Sequence, residues 1–249
     1  MKRRNQNSES NWVSFSDIMT GLMVIFMFIA ISYIIEVQKN NEKIKKTNDI
    51  IAAIINDFLK TKEELHKELE EEFEKDFADW QVTLDKDLSI KFTNPDFLFD
   101  MGKHEIRSEF SKILSEFLPR YFDILRKYND KISEIRIEGH TDTIAAKNLD
   151  ADPYIGNVML SQRRATEVMK FFTQSEYFSQ LKPIEVKRLQ FLLTANGLSF
   201  GRTVDENFQL TFISKKPIDM KNSKRVEFRI VTTSEKVVEE IKKLQSGTL

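Results

Sequence analysis

The hydrophobic and polar positions of this chain fall into three successive rhythms. Residues 13–35 form a nearly unbroken apolar run with one charge in it, Asp17. At about 1.5 Å per residue a helix over that run reaches roughly 34 Å, enough to cross a hydrocarbon core of about 30 Å. Residues 36–79 hold no proline or glycine, and Ile44, Ile51, Phe58 and Leu65 recur every seventh position with Ile54, Ile55 and Leu69 beside them. That spacing predicts a long helix with a short seam suited to a parallel dimer. Its second half is dense in Glu and Lys and reads as a solvated face.

From residue 80 the rhythm shortens. Val82 and Leu84, then Leu88, Ile90 and Phe92, alternate with polar residues on either side of Asp85-Lys86-Asp87, which predicts a hairpin. An amphipathic helix is expected over 102–129, broken or kinked at Pro119. A strand over 132–138 runs into Gly139-His140-Thr141-Asp142. A helix over 161–172 and strands over 188–194 and 225–232 follow, then a terminal helix from Ser234. Strands alternating with helices after an opening hairpin specify an α+β domain with a small mixed sheet and a βαβ unit. The predicted layout is a leader (1–12), a transmembrane helix (13–35), a helical linker (36–79), a folded domain (80–232) and a C-terminal helix (233–249).

An ionisable side chain within a membrane span costs about 2.5–3.5 kcal/mol at its centre, so it usually has a task. Asp17 lies near the start of the run, where a carboxylate also suits a helix N-terminus as a plain cap. Its neighbours favour the functional reading. On a 3.6-residue period Ser14, Thr20, Gly21 and Val24 share its face. Small residues admit a second helix closely and hydroxyls can relay a proton. Lys2, Arg3 and Arg4 precede the span, and Trp12 stands at interface depth. The positive-inside bias therefore puts the N-terminus in the cytoplasm and the folded domain outside. The apolar core is too long for a signal peptide, and no small-x-small cleavage site follows it.

Composition narrows the chemistry. Of 249 residues none is cysteine, which removes disulfides, thiolate catalysis and thiolate metal sites. A formal net charge of −1 gives no reason to expect nucleic acid as a direct partner. His140 with Asp142 offers two metal ligands and no third nearby, so no metal site is assigned. Ser161, His140 and Asp142 lack a nucleophile elbow, and no enzymatic activity is expected.

Two stretches carry a resemblance. Residues 135–142 (Ile-Arg-Ile-Glu-Gly-His-Thr-Asp) and 157–165 (Asn-Val-Met-Leu-Ser-Gln-Arg-Arg-Ala), closed by Ser223-Lys224-Arg225-Val226-Glu227, resemble the signature of OmpA-like peptidoglycan-binding domains over residues 80–232. The resemblance implies that Asp142 and Arg164 hold the diaminopimelate end of a wall stem peptide. Thr141, Asn157 and Leu160 shape the same pocket, with Arg225 close by. An acceptor and a forked cation suit a ligand bearing an ammonium and a carboxylate on one carbon. Two departures stand out. Ala151-Asp152-Pro153-Tyr154 reads as an insertion between Asp142 and Asn157, and Gly156 occupies a position where many members carry an aromatic residue, with Tyr154 a candidate replacement.

The span resembles another family. Trp12-Val13-Ser14-Phe15-Ser16-Asp17-Ile18-Met19-Thr20 is similar to the span of flagellar stator B subunits. That resemblance implies Asp17 as the ion carrier with Ser14 and Thr20 beside its path, and a homodimer inside a ring of A-type subunits, a 5:2 complex in the inner membrane. The ion is a proton, with sodium the alternative, and no resident cofactor is implied. Within this group, Leu118-Pro119-Arg120-Tyr121-Phe122-Asp123-Ile124-Leu125 followed by 132–142 resembles the B component of Zorya anti-phage defence systems, which implies a defence motor with a periplasmic wall anchor. The alternatives are a stator that powers motility and a passive wall anchor in which Asp17 is only a cap.

Overall fold

The computed structural model describes residues 6–146, 148–233, 235, 237 and 238. The side chains of residues 6–11, 13, 14 and 96 lie outside that description. Lys2, Arg3, Arg4, the Ser14 side chain and most of the expected C-terminal helix therefore lie outside the described residues.

Helix α1 (Gln6–Phe73) comes first, and the chain divides into two compact units within it, residues 1–54 and 55–249. In the first unit a continuous helix carries the apolar run, with every described side chain from Phe15 to Ile50 exposed. This helix is long and apolar enough to cross a membrane, because nothing in residues 13–35 breaks it and its side chains prefer hydrocarbon.

In the second unit α2 (Phe77–Trp80), β1 (Val82–Leu84), β2 (Ser89–Phe92), α3 (Pro95–Leu98) and α4 (Ser108–Lys127) follow. Strand β3 (Ile132–His140) leads to α5 (Pro153–Thr173), α6 (Glu176–Ser179) and α7 (Pro183–Leu192). The chain then forms β4 (Leu193–Gly197), α8 (Thr211–Ser214), α9 (Met220–Ser223) and β5 (Arg225–Thr232). Among the described residues the sheet order is β1-β2-β5-β3-β4. Only the β3–β4 pair is parallel; the other three pairings are antiparallel. This is the small mixed sheet that the alternating pattern predicts.

Period-two alternation gives the sheet two different faces. Ile90, Phe228, Ile137 and Ala195 stand in one row across the strands, and Phe92, Val226, Ile230 and Ile135 join that face in the core. Helix α4 covers it with Phe110, Leu114, Phe117, Tyr121 and Phe122, and α5 adds Ala165, Val168 and Phe172. The adjacent row on the opposite face is Lys91, Glu227, Glu138 and Asn196.

Four expectations need correction. The helix expected over 102–129 runs over Ser108–Lys127, and Pro119 sits inside it without breaking it. The helix over 161–172 begins earlier, because Asp152 caps it by accepting from the Tyr154 and Ile155 N–H groups and Pro153 takes the first turn. Of the residues read as an insertion, Asp152 is thus the cap and Pro153 and Tyr154 the first turn of α5. The strand over 188–194 lies at 193–197 instead, since Pro183 starts a helix that runs to Leu192.

The fourth concerns the linker. Leu65, Leu69 and Phe73 are within 1 % of complete burial and belong to the core. Their four-residue spacing sets them on one helix face, and the surrounding charges are matched from α4. Lys127 and Tyr128 donate to Glu68 at 2.7 Å each, while Arg120 donates to Glu72 Oε1 at 2.6 Å and Asp76 Oδ2 at 2.8 Å. Part of the run read as solvated is therefore a face of the folded domain. Leu65, the last position of the heptad seam, is spent inside it.

Candidate functional site

The sequence motifs converge where β3 ends and α5 begins. Gly139 is required there: a Cβ would come within 2.2 Å of the Ser161 carbonyl oxygen, so only glycine lets α5 lie this close to the strand. Ser161 is fully buried. Its hydroxyl donates to the Asn157 carbonyl at 2.8 Å and accepts from the Ser199 N–H at 3.0 Å, tying α5 to the segment after β4. These contacts set Asn157, Leu160 and Arg164 beside Thr141 and Asp142.

All six residues assigned to wall binding line one cavity of about 250 Å³: Thr141, Asp142, Asn157, Leu160, Arg164 and Arg225. Leu98, Phe99, Ile144 and Lys224 also contribute to its wall. The chemistry is polarised. Asp142 is buried, and its Oδ1 accepts from the Ile144 N–H at 2.9 Å. Its Oδ2 has Lys224 Nζ at 3.1 Å as an ion pair, without a hydrogen bond of good angle. The Asn157 amide donates to the Ile144 and Pro153 carbonyls at 2.9 and 3.0 Å. Its Oδ1 and the Thr141 hydroxyl are buried without a hydrogen-bond partner.

Arg164 faces these acceptors as a fixed cation. Nε donates to the Lys103 carbonyl at 2.9 Å and Nη2 to the Asp100 carbonyl at 3.3 Å, while the guanidinium lies 4.9 Å from the Phe99 ring centre. Burial pushes its pKa down to about 10, against the pull of Asp142, so it stays charged at neutral pH. Arg225 is held by Glu227 and by the Ser223 and Arg202 carbonyls.

Beside Arg225, on the sheet face opposite the core, lies a buried ionic cluster. Glu138, His140 and Glu227 bring two carboxylates and an imidazole within 4.8 Å of one another. Both His140 nitrogens lack a hydrogen bond, although Nε2 stands 3.6 Å from each carboxylate. Two influences oppose each other here: the carboxylates favour a charged ring, while burial and the Arg225 cation disfavour it, and the latter prevail. For Glu227 burial acts upward, but His140, Arg225 and Lys91 together hold its pKa below the usual carboxylate value. Glu227 pairs directly with the Arg225 guanidinium, so we read the cluster as the ionic support of Arg225.

Both departures have physical explanations. At Gly156 a Cβ would meet the Ala146 carbonyl oxygen at 2.8 Å, so the backbone at Ala146 takes the space that an aromatic side chain would need. Tyr154 packs edge-on against Phe200 with ring centres 5.4 Å apart and is not part of the cavity lining. Sequence reasoning missed Phe99, Lys103 and Asp100, which orient Arg164 from a loop without a recognisable motif. It also passed over Lys224, although that residue directly precedes Arg225 in the closing motif. In the first unit Asp17 and Thr20 are exposed on α1, and the Thr20 hydroxyl donates to the Ser16 carbonyl at 2.8 Å.

Residues 98–197 match the OmpA family. Two solved structures are similar to this chain over about two thirds of its length: the cell wall anchor of the type VI secretion system from Pseudomonas aeruginosa and the periplasmic domain of Helicobacter pylori MotB. The first is 23 % identical and covers 66 % of this chain and 96 % of its own, with a TM-score of 0.42. The second is 18 % identical and covers 64 % and 85 %, with a TM-score of 0.39. The Zorya protein ZorB of Escherichia coli is 35 % identical over 245 residues, covering 97 % of this chain and 95 % of its own length. An apolar N-terminal helix, an OmpA-type domain and this near full-length identity lead to one conclusion: the chain belongs to the ZorB family.

Proposed function

We propose that this chain is the wall-anchored B subunit of a proton-driven motor in an anti-phage defence system. The observation that carries the wall-binding part is the meeting of Asp142, Arg164 and their four motif partners in one cavity. An acceptor and a fixed guanidinium facing one another suit the ammonium and carboxylate of a diaminopimelate end. Relatedness to a Zorya protein favours defence over motility.

In this reading α1 crosses the inner membrane once, with the N-terminus cytoplasmic and the domain in the periplasm. Asp17 is the carrier, loaded and emptied as A-type subunits pass it. A carboxylate on an otherwise apolar helix surface needs a polar partner within the membrane, and the A-type ring supplies one. About 2.3 kcal/mol is available per charge per 100 mV of membrane potential. The wall-bound domain holds two B chains still while five A chains turn.

The test is phage plaquing and cell motility with the native operon carrying wild type, Asp17→Asn or Asp17→Glu at equal protein levels. The expected result is loss of protection in Asp17→Asn with motility unchanged. Lost motility with intact protection moves the chain to the flagellar class. Indifference of both phenotypes to Asp17 leaves a passive anchor with a capping carboxylate.

A further inference from the structure

Building on the wall-binding reading, we propose that Lys224 sets the ligand specificity of the cavity. It competes for the carboxylate oxygen that a ligand ammonium takes, and yields only to a ligand that also brings a carboxylate. The cavity then selects a zwitterionic stem-peptide end, diaminopimelate, over the plain amine of lysine.

Asp142 has one committed and one contested oxygen. Oδ1 is engaged by the Ile144 N–H, and Oδ2 has Lys224 Nζ at 3.1 Å. Two more acceptors in the same lining, Thr141 Oγ1 and Asn157 Oδ1, are buried without partners. An ammonium carries three donors, which matches Asp142 Oδ2 and these two atoms in number and kind. Lys224 and a ligand ammonium therefore seek the same seat.

The two cations beside Asp142 differ in freedom. Arg164 is anchored through Nε and Nη2 to backbone carbonyls. The Lys224 side chain is 31 % exposed and, within this lining, is paired with Asp142; its four-carbon stem lets it swing aside. Lys224 is thus the cation that moves.

Charge then decides what can displace it. Arg225 and Glu227 neutralise each other, leaving Asp142 against Arg164 and Lys224, a surplus of one positive charge. A lysine end raises that surplus to two and strands Lys224 without a counter-ion. A diaminopimelate end adds none, and its carboxylate becomes the new partner of the displaced Lys224 and of Arg164.

The experiment uses the full-length protein in detergent. Calorimetric titration measures a disaccharide tetrapeptide with meso-diaminopimelate at the third position and its L-lysine counterpart, against wild type, Lys224→Met and Lys224→Arg. The wild type is expected to prefer the diaminopimelate form. In Lys224→Met that preference narrows about tenfold, the worth of one charge-assisted contact, chiefly through tighter binding of the lysine form. Lys224→Arg keeps the preference. An unchanged preference in Lys224→Met, with normal diaminopimelate binding by the wild type, overturns the role of Lys224 alone. Binding of neither ligand by the wild type overturns the wall-binding reading and this inference together.

Discussion

Replacing Phe73 with alanine tests whether the charged end of the long helix is part of the folded domain. Phe73 is 1 % exposed. Its ring lies 5.2 Å from that of Phe117 and 6.2 Å from that of Trp80, with the Arg120 guanidinium 4.7 Å from its centre. Truncating a buried phenylalanine costs about 3–5 kcal/mol through lost transfer energy and the cavity left behind. The Arg120 stacking adds little, because that side chain is 34 % exposed and solvent weakens such contacts. A loss of about 4 kcal/mol is expected, whereas a solvated helix position would cost no more than about 0.5 kcal/mol. The assay is urea unfolding of residues 55–249. Trp80 is the sole tryptophan of that fragment, since the chain has two and the other is Trp12. At a slope of about 2 kcal/mol/M the midpoint falls by about 2 M. A fall below about 0.5 M, with Leu69→Ala equally mild, would refute the placement of this segment in the core.

Three further outcomes are expected. Asp142→Ala with Arg164→Ala abolishes sedimentation of the full-length protein with purified peptidoglycan while membrane insertion is unchanged; retained binding means that the cavity has been misassigned. Gly139→Ala drives a Cβ into the Ser161 carbonyl and costs roughly 3 kcal/mol or more, read as a fall in the urea midpoint; a neutral result shows that α5 can shift without loss. Acid destabilises the domain in two stages. His140, with its pKa held below the usual imidazole value of 6.5, is neutral in the fold and gains a proton on unfolding, so stability declines as pH falls below about 6.5. Glu227, held below 4.5, contributes stability above that value and loses it as pH falls through its folded pKa. A melting temperature that is flat from pH 7 to pH 5 would contradict the first stage, and His140→Gln should flatten that limb alone.

The boundary between what the sequence discloses and what it hides follows the range of the interactions. The β1–β2 hairpin and β5 are legible because their alternation is local, and the cavity is legible because three short motifs each carry part of it. What stays hidden depends on partners distant along the chain. Glu68 and Glu72 look like solvent-facing charges until Lys127 and Arg120 arrive from α4, more than forty residues on. Pro119 looks like a helix breaker, yet the packing of Phe117, Tyr121 and Phe122 on either side of it holds α4 together through the loss of one backbone hydrogen bond. The same reasoning covers Lys224. Beside Arg225 in the sequence it is one more cation, and only the distance to Asp142 shows that it stands against the carboxylate. Arg164, by contrast, is legible by type but not by mechanism, because the carbonyls of Asp100 and Lys103 that aim it lie in a loop without a motif. A cavity whose charges come from motifs but whose orientation comes from unpatterned loops can keep its ligand class across a family while its affinity and selectivity drift. The test of that view is Phe99→Ala, which leaves every motif charge in place but removes the ring beside the Arg164 guanidinium: peptidoglycan binding should weaken, and an unchanged affinity would show that the loop does not orient Arg164.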